Sequence, residues 1–172
     1  MSFDTTSSYT TVTSDICSNC ATQVYKPGTS DSTKNLNKKY QLDITPEGDP
    51  VKLKTFAFTD MVCLTDGYDM CIDDFMFYAI YEQTGFKEGQ DGVIGLAPHQ
   101  TGKKSKSEGP LLLLEMKKAK VIDRAVFSFF ISDQHAKHHS IQIGDYDTTY
   151  VDGGESNLHW YSLTVDKMGW RW

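Results

Sequence analysis

Most of the chain consists of short runs that alternate apolar and polar residues, or that are rich in β-branched and aromatic side chains, broken at brief intervals by Gly, Pro, Asp and Asn. A period of two with turn residues between the runs predicts a β-rich fold. "YTTVTS" (9–14) is a first strand, and a polar stretch follows it to about residue 39, with "KPGTSDST" supplying the turn chemistry. "YQLDI" (40–44) and "VKLKTFAF" (51–58) flank "TPEGDP", so these two runs form a hairpin. "TDMVCL" (59–64) and "FMFYAIYEQ" (75–83) enclose "TDGYDMCIDD" and predict a second one. Three further strands are expected in "AVFSFFIS" (125–132), "SIQIGDYD" (140–147) and "NLHWYSLTVD" (157–166).

One segment has helical character, residues 110–119, introduced by the polar connector "TGKKSKSEG" (101–109). Pro110 suits a first helical turn, while Lys117, Lys118 and Lys120 complement the negative end of the helix dipole. Leu111, Leu114 and Met116 are the expected buried stripe. There is no internal repeat and no second boundary, so residues 1–172 read as a single domain large enough for its own core.

Charge removes some partners. Seventeen basic against twenty-three acidic residues give a net charge of -6, the wrong sign for phosphate backbones, so no nucleic-acid partner is expected. No apolar run approaches the roughly 20 residues of a membrane-spanning helix. "PLLLLEMKKAKVI" (110–122) fails after four leucines, and the protein is read as not integral to a membrane. "MSFDTTSS" has neither the charged start nor the apolar middle of a signal peptide.

The four cysteines, Cys17, Cys20, Cys63 and Cys71, fall as two close pairs. Two local disulfides, free thiols and a metal site are all compatible with an even count, and the spacing favours the disulfides. The second pair is too widely spaced for a zinc half-site, and "SDICSNCATQ" reads as a loop, not as the helix start of a redox motif. Bridged cysteines would imply folding in an oxidising compartment. Asp66, Asp69, Asp73 and Asp74 lack the alternate-residue spacing of a calcium loop and read as solvated turn acids. His135, His138 and His139 in "HAKHH" also read as a solvated run, so no metal and no cofactor is assigned.

Six segments carry a resemblance by their order: "FDTTSS" (3–8), "YKPGTSDST" (25–33), "DGVIGLAP" (91–98), "VIDRAVFSFFIS" (121–132), "IQIGDYDTTYVDG" (141–153) and "LHWYSLTVDKMGW" (158–170). Together they resemble the amino-terminal lobe of pepsin-family (A1) aspartic endopeptidases, collinearly from Phe3 to Trp172 and least well between about 40 and 86. The resemblance implies a single pepsin-like lobe, mainly antiparallel β with one short packed helix. It implies Asp4 as the catalytic acid in a motif with Thr5, Thr6 and Ser7, a peptide substrate, and a strand at 91–98 running beside the catalytic loop. Cys17 and Cys20 fall where many members carry a small disulfide loop, and a secretory, lysosomal or vacuolar lumen is the implied location.

Peptide hydrolysis by this route needs two carboxylates about 3 Å apart that share one proton around a water. This chain offers one. Its other Asp-Thr pair, Asp147-Thr148, falls by resemblance in a surface turn, so a second acid must come from another lobe or chain, or be absent. Thr6 stands in place of the motif glycine, and a β-branched residue has less conformational reach. "ITPEGDPVKL", where a flap tyrosine is expected, has Pro46, Glu47 and Pro50 instead, and Thr11 stands where the family carries a tryptophan. These departures predict a degenerate domain, inactive by itself, in which Asp4 accepts hydrogen bonds from Ser7 and nearby amides. Such a lobe has an apolar cleft face, which predicts a protein partner or second lobe that covers it. The alternative is an active endopeptidase completed by a second lobe or by a homodimer that pairs two copies of Asp4.

Overall fold

The computed structural model describes residues 1–45, 48–98, 109–131, 139–149, 151–162, 164–166 and 169–171. In chain order its strands are β1 (Ser2–Asp4), β2 (Thr10–Thr13), β3 (Lys34–Ile44), β4 (Val51–Cys63), β5 (Cys71–Thr84), β6 (Gly92–Gly95), β7 (Phe127–Phe130), β8 (Ser140–Ile143), β9 (Thr164–Asp166) and β10 (Gly169–Arg171). Helix α1 (Leu112–Lys118) lies between β6 and β7. The fold is mainly β with one short helix, as the alternation predicts.

A six-stranded sheet in the order β1-β6-β2-β5-β4-β3 makes up the body, and β7-β8 and β9-β10 form two small antiparallel pairs. Both expected hairpins are present and share a strand. β3 pairs β4 from Ile44↔Val51 back to Lys34↔Thr59, and β4 continues as the first arm of the second hairpin. That hairpin is closed at Cys63↔Cys71, where the two cysteines are bonded; Cys17 and Cys20 are bonded as well. The thiol and metal alternatives for these residues therefore fall away.

Alternation puts Leu42, Leu53, Ala57, Tyr78, Ile80 and Val93 at 1% exposure or less in one part of the core. Phe58, Phe75, Phe77 and Ala79 form the other part, against α1. A seven-residue helix is too short to persist by itself. Leu112 and Met116 anchor it to that cluster, each burial contributing about 2 kcal/mol.

Several boundaries differ from the expectation. β3 begins at Lys34 and not after residue 39, because an irregularity between Asn35 and Lys39, with Asn37 at φ 55°, lets a polar run join the ladder. Asp73 and Asp74 lie in β5, not in a turn, and Asp74 pairs with Lys34 at 2.5 Å. In α1, Leu112 and Met116 are buried one turn apart, while Leu114, expected in the stripe, is 49% exposed. Pro110 precedes the helix, whose N-cap is Leu111. The strand expected over 157–166 is confined to Thr164–Asp166, since a 3-10 turn at Gly154–Asn157 leads into irregular chain.

Candidate active site

β6 is the strand on which the site is built. β1 pairs with it in parallel (Ser2↔Val93, Phe3↔Ile94, Asp4↔Gly95), and β2 pairs antiparallel with its other edge (Thr10↔Ile94, Thr11↔Val93, Val12↔Gly92). Residues 5–9, which connect β1 to β2, must therefore cross the end of β6. Two amides beyond β6 hold this crossing: Leu96 N–H donates to the Asp4 carbonyl (2.8 Å), and Ala97 N–H to the Ser7 carbonyl (3.0 Å). Gly95 sits under the loop so closely that a Cβ there would lie 2.5 Å from Ser8 C and 2.6 Å from Ser7 O and Tyr9 N. A strand beside the loop that carries Asp4 is what the resemblance implied, and Gly95 supplies the close approach that its own sequence context suggested.

Asp4, at the end of β1, is 6% exposed. Its Oδ1 accepts from Thr6 N–H (2.8 Å) and from Thr6 Oγ1 (2.7 Å), the local i to i+2 pattern of an Asx turn. Its Oδ2 is buried and has no hydrogen-bond partner among the described residues. The expected donor, Ser7, is not used. Ser7 Oγ instead accepts from Tyr9 N–H at 3.1 Å. Thr6 is exposed, and its φ lies outside the left-handed region, so this position does not demand glycine.

Thr11 is fully buried in β2, where its Oγ1 accepts from Val93 N–H at 3.1 Å. It stitches β2 to β6 as a core residue. Asp147 is exposed and accepts from Thr149, which holds its carboxyl below the usual range; it is a surface-turn residue, as expected. Pro46, Glu47, His135 and His138 lie outside the described residues. Among the described residues no group of acidic, cysteine or histidine side chains is close enough to hold a metal ion.

Beside the crossing loop lies an apolar groove of about 680 Å³, lined by Thr5, Leu96, Leu111, Leu114, Phe127 and Trp160 among others. Several apolar side chains are exposed: Leu114 at 49%, Phe129 at 46%, Ile131 at 78%, Trp160 at 71% and Tyr161 at 87%.

The sequence reading missed one polar centre. Asp60, on an inward position of β4 and 4% exposed, accepts from five donors. Its Oδ1 takes Ser30 Oγ (2.8 Å), Ser32 Oγ and Met61 N–H (2.8 Å); its Oδ2 takes Thr33 Oγ1 (2.5 Å) and Tyr25 OH (3.1 Å). Burial pushes this carboxyl up, but the hydroxyls of Ser32, Thr33 and Ser30 and the Met61 amide outweigh it and bring the pKa down to about 2. Burial, against a lowering hydrogen bond from Thr33, and then the Asp60 charge raise Tyr25 to about 12. The signal was legible in principle, as a lone acid inside the apolar run "FAFTDMV" and a hydroxyl-rich "TSDST" upstream.

A β1 to β2 loop crossing the end of β6, with an acid at the close of the first strand, defines a pepsin-like lobe. The family model for eukaryotic aspartyl proteases matches residues 1–172, and the chain belongs to that family. None of the curated proteins compared with it matches.

Proposed function

We propose that this pepsin-like aspartic peptidase domain is non-catalytic on its own and serves as a binding or structural piece of a larger assembly. The observation that carries the reading is the state of Asp4. One carboxylate oxygen is committed to its own turn through Thr6, the other is buried, and no carboxyl group among the described residues shares a hydrogen bond with it. General acid and general base roles need two carboxyls around one water, and a single enclosed acid supplies neither partner nor access. The exposed side chains of Leu114, Phe129 and Trp160 on the groove support a protein partner or second lobe over that face. Two disulfides fit an oxidising lumen, secretory, lysosomal or vacuolar.

The test is incubation of the purified chain with denatured protein between about pH 3 and 6, the range in which one acid of such a dyad is ionised and the other protonated. No cleavage is expected. Proteolysis abolished by a statine-type inhibitor would overturn the reading. A second reading, an active endopeptidase completed by another lobe or a second copy, is favoured by the position of Thr5 on the groove, since whatever covers the groove comes to rest beside Asp4. Under that reading Asp4→Ala abolishes activity of the assembly; under the first it changes neither activity nor assembly.

A further inference from the structure

Asp4 is enclosed at some cost: a buried carboxylate oxygen without a donor is unfavourable, and rotation about its last side-chain bond is soft. Something must hold it there. Among the described residues Thr6 is the one whose side chain bonds the carboxylate, adding an O–H to the N–H that already reaches the same Oδ1. Both bonds converge on one oxygen, so rotating the carboxylate out of the turn has to break two hydrogen bonds and not one. A hydroxyl bonded to an ionised acceptor is also among the stronger hydrogen bonds in a protein.

We propose that Thr6 is a positioning residue that locks Asp4 into its own turn, closed to solvent and to any acid brought by a partner, and that loss of the Thr6 hydroxyl opens it. This rests on the reading of Asp4 as non-catalytic in this chain. Because Thr6 is exposed and has an unstrained φ, its side chain can be exchanged without disturbing the core. The residue that departs from the family motif thus acts on the acid itself through the hydroxyl it adds.

The experiment reads carboxyl reactivity, independent of proteolysis. The chain with both disulfides intact is labelled with a water-soluble carbodiimide and an amine at about pH 5, and peptides are quantified by mass spectrometry. Exposed Asp66 serves as internal reference. Four chains are compared: the parent, Thr6→Ser, which keeps the hydroxyl, and Thr6→Val and Thr6→Gly, which lack it. Relative to Asp66, Asp4 is expected to be protected in the parent and Thr6→Ser, and to label about ten-fold faster or more in the other two, the factor set by one hydrogen bond to a charged group. Circular dichroism matching the parent establishes that Thr6→Val is folded; if it is not, Thr6→Gly carries the comparison. Protection that persists in folded Thr6→Val or Thr6→Gly, or Asp4 already labelling as fast as Asp66 in the parent, overturns the proposal. Inhibitor-sensitive cleavage by the parent would instead overturn the functional reading and leave these labelling ratios as they are.

Discussion

Asp60 offers the most quantitative test of the physical account. Its carboxylate gathers three hydroxyls from the loop 30–33, the Tyr25 phenol and the Met61 amide, and so ties the segment before β3 to the middle of β4. The pKa falls from the ordinary 3.8 to about 2. At about 1.4 kcal/mol per unit, that displacement stabilises the fold by about 2 kcal/mol when the group is ionised in both states. Because the folded value is the lower one, the contribution is present above the unfolded pKa and is lost as pH falls through the folded one. Linkage leaves about half of it at pH 3 and little at pH 2.

Asp60→Asn keeps the shape and one acceptor but removes the charge. The hydroxyls of Thr33 and Tyr25 can rotate to accept from the new amide, so the lost term is mainly the charge-assisted part of the network. The variant is expected to be about 2 kcal/mol less stable than the parent at pH 6, and to converge on it by about pH 2. Urea unfolding followed by tryptophan fluorescence at pH 2, 3, 4 and 6, with disulfides intact, measures both curves. A gap that stays constant across this range, or one below about 0.5 kcal/mol at pH 6, refutes the account, because then the donors do not discriminate the charged form.

Two further outcomes are expected. Gly95→Ala places a Cβ 2.5 Å from the backbone of Ser8, an atom that cannot rotate away, and should destabilise by about 3 kcal/mol or prevent folding; a denaturation midpoint equal to the parent's would contradict the close packing of loop on strand. Burial and the Asp60 charge raise Tyr25 to about 12, so stability should fall between about pH 10 and 12 as the unfolded state ionises first; Tyr25→Phe should lessen that fall in urea midpoints compared at about pH 9 and 11, and an unchanged fall would show the assignment wrong.

What could be read from the sequence depended on whether the deciding contact was local. Alternation in "YQLDI", "VKLKTFAF" and "FMFYAIYEQ" found the central meander because inward positions there are set by a period of two. The start of β3 was hidden, since a bulge with a left-handed asparagine breaks that period. In "PLLLLEM" four adjacent leucines carry no period at all, so only the cluster around Phe58 and Phe77 selects Leu112 and Met116 for burial. "NLHWYS" has strand propensity, yet no strand pairs with it among the described residues, and Trp160 and Tyr161 stay exposed. At the site, the acid and its loop were legible from the motif. That Thr6 and not Ser7 would bond Asp4 was not, because both are hydroxyls close to the acid in sequence and no local pattern chooses between them. The four hydroxyl partners of Asp60 lie 27 to 35 residues away, beyond any local pattern.

The crossing of β1, β6 and β2 does not depend on the acid that its loop carries. The crossing is held by main-chain bonds from Leu96 and Ala97, by the space at Gly95, and by Thr11 bonded to the Val93 amide. None of these uses the Asp4 carboxylate. A substitution at the motif glycine therefore leaves the crossing intact, provided the new side chain stays clear of the core, as that of exposed Thr6 does. Its effect falls on the acid alone. Fold and acid are in this sense physically separable here: the loop is fixed by its backbone, and the hydroxyl proposed to hold the acid closed comes from one exposed side chain.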